Sequence, residues 1–466
     1  MTRRFSVKFT LHIIMKPIIM TLSGTRGIIG ENFHPQIALQ TGMAFGQFVK
    51  KGTVIVGGDT RTSHDMIKNA VISGLLSVGI DCVDIGRVPT PTVQQLIRHY
   101  KAQGGIVITA SHNPVIWNGI KLMDSTGSFL DSMAYGEFSS LYEGQSYMIS
   151  SWDRVGRLTQ EPHALDIHID RILSILDPEP IRKARLKALV DPNNGTGGIA
   201  DPLLFKRLNV EYELLNEEPH GWFTHNPEPL EQNVSVLIQK MKAGNYDIGF
   251  AQDADADRLI IIDEKGRFIG EDYSLAFCVD YILSQEFASK KKVVVNLSTS
   301  SVLEWIGKKH HADIFYTKIG ESYVTQEIKS QQAHVGGEGN GGVIFPKVGW
   351  GRDSLVGMTV ALSYLAQSQK SVSQIVGNYP QLTMIREKME LSSQEEIPRI
   401  LENVEKSFSH GKVNKMDGVK IVFSDSWAHV RPSNTEPIIR IFIEAPTREA
   451  ANALMDQVKS VLVPRY

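Results

Sequence analysis

VITASHNPVIWNGIK, residues 107–121, is the stretch on which the reading of this chain turns. An apolar run, Ile106-Val107-Ile108, stops abruptly in Thr109-Ala110-Ser111-His112-Asn113-Pro114. Such an ending is either a structural turn or a hydroxyl held at the end of a sheet. The segments upstream favour the sheet. Residues 53–59 (TVIVGGD) read as a buried strand, 66–79 as a helix, 81–86 as a second strand, 92–100 as a helix, and 104–110 as a third strand leading into Ser111. Alternating strand and helix predict a mostly parallel sheet with helices on its faces.

The same order returns twice. KALVDP (187–192), a helix over 196–208, a strand over 211–217, a helix over 234–244 and DIGFAQ (247–252) lead into Asp253-Ala254-Asp255-Ala256-Asp257-Arg258. KVVVNL (292–297), a helix over 301–310, a strand over 312–318, a helix over 321–331 and AHVGG (333–337) lead into Glu338-Gly339-Asn340-Gly341-Gly342. Three units each place a distinctive loop after their third strand. Ligands of open parallel sheets bind beyond the carboxyl ends of strands, and repetition on this scale signals an internally duplicated architecture. The last segment differs: a helix over 398–408, strands over 420–426, 427–432 and 438–445, and a final helix over 448–461. The expected fold is therefore α/β: three similar α/β domains with mainly parallel mixed sheets and a smaller C-terminal α+β domain, arranged around a central cleft. The expected boundaries are an extension at 1–14 and domains at 15–160, 161–266, 267–375 and 376–466.

Composition limits the function classes. The chain has 42% hydrophobic and 21% charged residues and a net charge of −2. No basic excess points to nucleic acid, and no Lys/Arg block points to an anionic membrane surface. Two cysteines, Cys82 and Cys278, lie far apart in apolar stretches, which fits a reducing, cytoplasmic setting rather than a disulfide framework. No apolar run approaches the ~18 residues of a spanning helix. Arg3 and Arg4 followed by apolar residues imitate a signal peptide, but Lys8, His12, Lys16 and Pro17 interrupt the run and no small-residue cleavage site follows. Met15 or Met20 is an alternative start.

The loops carry the chemistry. In an extended chain Asp253, Asp255 and Asp257 point the same way, and three carboxylates together repel unless a cation joins them. Hard oxygen ligands suit Mg²⁺ or Ca²⁺. An EF-hand is excluded because its sixth loop position must be glycine, whereas Arg258 stands there. A solvated acidic turn fits poorly, since Arg258 alone does not neutralise three carboxylates. Serine needs activation to attack. His112, adjacent in sequence, is expected to point away from Ser111, and neither a hydrolase triad nor G-x-S-x-G is evident. If the two loops share a cleft, Ser111 can carry a phosphate that a metal ion bridges to the aspartates, with Lys121 as acid/base or charge clamp. Glu338 and Asn340 offer partners for sugar hydroxyls. Arg431, Ser433, Asn434 and Thr435 combine a guanidinium, hydroxyls and an amide, as a phosphate nest does.

Taken together, these loops resemble the motifs of the α-D-phosphohexomutases, which interconvert 6-phospho and 1-phospho sugars. T-A-S-H-N-P at 109–114 is similar to the family's phosphoserine loop, D-x-D-x-D-R at 253–258 to its metal loop, G-E-x-x-G at 337–341 to its sugar loop, and R-x-S-x-T-x-P at 431–437 to its phosphate loop. Ser23-Gly24-Thr25-Arg26-Gly27 resembles its S-G-x-R-G. The resemblance implies that Ser111, as a phosphoserine, passes its phosphate to the bound sugar phosphate through a hexose 1,6-bisphosphate. It implies Mg²⁺ held by Ser111, Asp253, Asp255 and Asp257. It makes Lys121, Arg26 and His112 catalytic residues. Arg258, Lys318, Glu338, Asn340, Arg431, Ser433, Asn434 and Thr435 become substrate-binding residues. Partners are then small sugar phosphates, acting on a monomer or homodimer. Many bacterial members place Ser-Gly-His where this chain has Asn340-Gly341-Gly342. That departure favours glucosamine phosphate, with a broad phosphoglucomutase/phosphomannomutase as the alternative. The rival classes are a sugar-phosphate-binding protein without catalysis and a metal-dependent phosphatase using Ser111.

Overall fold

A computed structural model describes residues 18–391, 393–433 and 438–462. The expected extension at 1–14, and Asn434 and Thr435 of the phosphate loop, lie outside the described residues. The first sheet contains β1 (Ile19–Thr21), β2 (Gly24–Ile28), β3 (Thr53–Gly58), β4 (Asp81–Arg87), β5 (Gly104–Ile108), β6 (Trp117–Met123) and β7 (Leu158–Gln160). Its spatial order is β1-β2-β6-β5-β3-β4-β7. The second has β8 (Lys187–Asp191), β9 (Glu211–Leu214), β10 (Ile248–Gln252) and β11 (Leu259–Ile262), in the order β11-β10-β8-β9. The third has β12 (Lys291–Asn296), β13 (Ala312–Thr317), β14 (Val335–Glu338) and β15 (Gly342–Ile344), in the order β13-β12-β14-β15. In the fourth, β16 (Thr383–Glu390), β17 (Lys412–Asn414), β18 (Val419–Val422), β19 (Trp427–Pro432) and β20 (Ile438–Ala445) run β16-β20-β19-β18-β17, all antiparallel.

The first three sheets share one core. A first strand lies parallel between the second and the third, and the third turns back into an antiparallel neighbour: β5 into β6, β10 into β11, β14 into β15. The sheets are therefore mixed, and each distinctive loop is the bend of a hairpin. Strands β5, β10 and β14 are buried along their whole length, which is why they read as continuous apolar or glycine-rich runs. Helices Glu271–Gln285 and Ser354–Ser368 went unmarked in the sequence reading. Both are buried on most of their circumference and so carry no amphipathic stripe.

One apolar core runs through the first three sheets, from Ile55 and Val107 through Val190 and Phe250 to Val293, Val335 and Tyr379. Residues 400–462 pack a separate core, in which Ile400 and Val404 meet Ile439, Ile441, Met455 and Val458. The C-terminal unit is thus an independently packed body against the other three.

Candidate active site

A cleft of about 810 Å³ opens where the four units meet. The first unit lines it with Arg26, Ser111, His112 and Lys121, the second with Glu228 and Arg258, the third with Glu321, Glu338, Asn340 and Arg352, and the fourth with Arg386, Lys388 and Arg440.

Ser111 is buried at the β5–β6 bend, with a left-handed backbone (φ 51°). For a residue with a Cβ that conformation costs about 1–3 kcal/mol and persists only when its surroundings fix it. The surroundings here are Asp59 and Arg61. Arg61 is fully buried: Nη2 donates to the Ser111 and Asn113 carbonyls (both 2.7 Å), and Nη1 to those of Pro114 (2.7 Å) and Trp117 (2.8 Å). Its Nε donates to Asp59 Oδ2 at 3.0 Å, and Thr109 Oγ1 donates to the same oxygen at 2.6 Å. Sequence reasoning missed both residues because it looked only past the third strand. The signal was Gly58-Asp59-Thr60-Arg61, a polar run directly after the first.

The left-handed turn also corrects the expectation for His112. Adjacency does not send its ring away, because a reversed φ folds neighbouring side chains toward one another. His112 Nδ1 lies 3.2 Å from Ser111 Oγ and accepts from Arg258 Nη2 at 2.9 Å. Burial, with Arg258 and Arg26 nearby, holds its pKa well below the usual histidine value, so the ring is neutral. Arg26 Nη1 donates to Asn113 Oδ1 at 2.7 Å.

Asp253, Asp255 and Asp257 are buried, each with a carboxylate oxygen within 4.8 Å of the others. The means differs from the expected strand alternation. The segment is a turn with left-handed Ala256 (φ 50°), closed by Asp253 Oδ1 accepting from the Asp257 (3.2 Å) and Arg258 (3.1 Å) amides. Asp253 Oδ2 faces Ser111 Oγ at 3.2 Å. Lys121 Nζ donates to Asp255 Oδ2 at 2.8 Å and approaches Asp257 Oδ2 at 3.5 Å. Thr90 Oγ1 also donates to Asp255 Oδ2, at 2.7 Å. Burial and the two neighbouring carboxylates push Asp253 well above the usual aspartate range. Burial would raise Asp255 as well, but Lys121 pulls it below that range. Lys121 responds in kind: burial opposes its charge, and Asp255 and Asp257 outweigh burial and raise its pKa. Asp255 Oδ1 and Asp257 Oδ1 are buried without a partner. Two orphaned carboxylate oxygens beside a third acid and a hydroxyl fit a metal ion.

On the opposite wall Glu338 Oε1 accepts from Asn296 Nδ2 (3.0 Å) and the Gly320 amide (2.9 Å), and Oε2 meets Arg352. Asn340 Oδ1 has no partner. Lys318 is exposed, its Nζ 5.9 Å from the centre of the Tyr323 ring, and it does not line the cleft; its neighbours 319–323 do. Arg431 and Ser433 are buried and do not line the cleft, and Arg431 Nε lies on Asp417 Oδ2 at 3.1 Å. Register adds what the loop motif did not show. Lys388, Arg440 and Arg431 stand directly opposite one another on β16, β20 and β19. Directly paired residues share a face, and like charges so placed repel; the row suits an anion.

Four domain families described as phosphoglucomutase/phosphomannomutase match in order: alpha/beta/alpha domain I at 18–141, domain II at 166–266, domain III at 270–382 and the C-terminal domain at 385–461. The chain belongs to the α-D-phosphohexomutase family. Among phosphohexomutases it is 37% identical to the "Phosphoglucomutase/phosphomannomutase" of Thermococcus kodakarensis, over 93% of this chain and 96% of that protein. It is 34% identical to a "Probable phosphoglucosamine mutase" of Methanopyrus kandleri, over 94% and 96%. A crystal structure of a phosphoglucomutase/phosphomannomutase family protein from Burkholderia thailandensis matches with a TM-score of 0.82 at 25% identity, over 95% of this chain and 98% of that one. A phosphohexomutase is an intramolecular phosphotransferase, and the chain is accordingly an enzyme acting on hexose phosphates.

Proposed function

We propose that this phosphohexomutase interconverts glucosamine 6-phosphate and glucosamine 1-phosphate through a phosphoserine at Ser111 and a bisphosphorylated sugar. The observation that carries this reading is Ser111 Oγ held 3.2 Å from Asp253 in a three-aspartate turn with two orphaned oxygens. Asp253, Asp255 and Asp257, with the Ser111 phosphate, would hold Mg²⁺. When bound, Mg²⁺ neutralises phosphoryl charge, the main demand of phosphoryl transfer besides positioning.

The chain's own residues do the rest. The phosphorus leaves Ser111 Oγ for a sugar hydroxyl, the bisphosphate turns end for end, and its other phosphate returns to Ser111. Lys121, kept charged by Asp255 and Asp257, gives a proton to the departing oxygen (Ser111 Oγ in the first transfer, the sugar oxygen in the second) and regains one from the attacking hydroxyl. Arg26 steadies the transferring phosphate, while neutral His112 and Arg258 wall the site. Glu338 and Asn340 take sugar hydroxyls. Arg431, Ser433, Asn434 and Thr435 grip the idle phosphate, with Lys388 and Arg440 completing its cationic platform and Lys318 at the rim. Glycine at 341 and 342 after Asn340, and relatives named as phosphoglucosamine mutases, support the amino sugar. Both cysteines are buried thiols, which suits a reducing cytoplasm. Among the described residues no helix is long and apolar enough to cross a membrane.

Purified enzyme assayed with glucosamine, glucose and mannose 1-phosphates, with and without the matching 1,6-bisphosphate, tests the reading. The expected result is bisphosphate-stimulated isomerisation with the highest kcat/KM for glucosamine 1-phosphate. Release of inorganic phosphate without isomerisation would mean a phosphatase, and tight binding without turnover a binding protein. A preference for glucose or mannose phosphate would move the substrate assignment alone.

A further inference from the structure

Arg352 joins two loops that stand on different domains. Its Nη2 donates to Asp257 Oδ2 at 2.8 Å and its Nε to Glu321 Oε2 at 2.9 Å, and its Nη1 lies 3.1 Å from Glu338 Oε2. Each nitrogen therefore holds a different carboxylate, and all four side chains are buried. The base of the side chain is fixed as well. Arg352 bridges to Ile344, and the next residue, Asp353, caps helix Ser354–Ser368 through the Leu355 and Val356 amides. Asp353 Oδ2 also meets His168 Nε2 at 2.8 Å.

The stem of Arg352 occupies a particular space. A Cβ at Gly342 would come within 2.2 Å of Arg352 Cδ. The arginine stem and a side chain at 342 therefore exclude one another in this packing. We infer that Arg352, admitted by the missing side chain at position 342, is a positioning residue that couples the metal loop to the sugar loop. The inference rests on the reading above, in which Asp257 takes part in holding a cation and Glu338 receives a sugar hydroxyl.

The coupling follows from sharing one guanidinium among three carboxylates. A cation on Asp257 withdraws that partner, and the charge of Arg352 then falls on Glu338 and Glu321, fixing Glu338 for the sugar. A sugar that fixes Glu338 fixes Arg352 in turn and leaves Asp257 to the cation. Linkage makes the two effects equal. A lysine offers no planar three-edged fork and does not substitute.

Mn²⁺ binding measured by electron paramagnetic resonance tests this in the full chain carrying Ser111→Ala, which stops turnover. Saturating glucosamine 6-phosphate should tighten Mn²⁺ about fivefold or more. Adding Arg352→Gln should cut that factor at least threefold, yet leave sugar-free Mn²⁺ affinity unchanged or tighter, because the competitor for Asp257 is gone. Gly342→Ala, which keeps the buried charge but displaces the stem, should cut the factor likewise and decides the matter if Arg352→Gln does not fold. An unchanged factor in these variants, or weaker sugar-free Mn²⁺ binding in Arg352→Gln, overturns the coupling. So does binding of both ligands without tightening in the Ser111→Ala chain. A Ser111→Ala chain that binds no Mn²⁺ takes the cation away from the three aspartates and overturns the coupling, whereas one that binds no glucosamine 6-phosphate overturns the proposed function itself, and the coupling with it.

Discussion

The Ser111 and Asp253 loops at one end of the cleft and the β16–β20 sheet at the other are attached to the molecule in opposite ways. The loops are fixed from inside. Arg61 spends its donors on four loop carbonyls and Asp59, Thr90 crosses from the first domain to hold Asp255, and one continuous apolar core lies beneath. The C-terminal sheet has its own core and reaches the third domain through polar contacts. Arg386 bonds Asp272 (2.6 Å) and the Gly339 carbonyl (3.1 Å), Lys420 donates to the Leu297 carbonyl (2.7 Å), His429 meets Ser298 (2.8 Å), and the Ile319 amide donates to Asp417 (3.0 Å). Precision is concentrated at the loops proposed to carry the phosphoryl transfer. The end proposed to grip the idle phosphate is docked by polar contacts over a separate core, which suits a unit that opens and closes.

The largest effect of that difference should come from Arg61→Met. It leaves Asp59 buried without its partner, so unfolding stability should fall by about 3–5 kcal/mol. Where the variant stays folded, a nucleophile displaced by an ångström should lose about a hundredfold in kcat. Thermal unfolding and turnover check both, and near-normal turnover would mean that the loop holds its own shape. Next in size is Arg431→Ala. Loss of one charge-assisted phosphate contact costs about 1.5–3 kcal/mol, which lowers kcat/KM roughly tenfold to a few hundredfold in both directions. Equal kinetics at low substrate would reduce residues 431–437 to a structural turn.

A smaller change is expected from Arg386→Ala, whose ion pairs with Glu271 and Asp272 are partly exposed. KM should rise roughly two- to fivefold, and small-angle X-ray scattering should report a larger radius of gyration as the C-terminal domain opens. An unchanged radius would place the docking energy elsewhere. The smallest effect concerns the second domain, where His225 Nε2 meets Asp191 Oδ2 at 3.1 Å. Burial opposes the imidazolium, but Asp191 outweighs it and the pKa is raised from 6.5. The folded state thus favours the protonated ring. Its contribution is complete below the unfolded value and is lost as pH climbs above it, by less than about 1 kcal/mol. Unfolding midpoints between pH 6 and 9 should fall more steeply for the parent than for His225→Gln; parallel slopes would contradict the pairing.

The hairpin loops were legible because each is a polar knot directly after a buried strand, and such a contrast survives in one dimension. Arg352 was not, since its partners Asp257, Glu321 and Glu338 lie on other stretches of the chain, and Arg61, although marked by a polar run after the first strand, has its loop-carbonyl partners far along the chain. The three aspartates do converge as expected, but a turn rather than strand alternation brings them together. His112 was misdirected because the left-handed backbone at Ser111 is imposed from outside the loop, by Arg61. The cationic row Lys388–Arg440–Arg431 depends on the register of three antiparallel strands, which no single stretch contains.

Whether Ser111 carries the transferable phosphate is settled by intact-mass and phosphopeptide analysis of the enzyme before and after exposure to hexose 1,6-bisphosphate, alongside Ser111→Ala. One phosphoryl group should be found on Ser111, absent from the variant and discharged by a hexose monophosphate with formation of the bisphosphate. Full turnover by Ser111→Ala, or by an enzyme whose Ser111 never takes up phosphate, would contradict the mechanism outright.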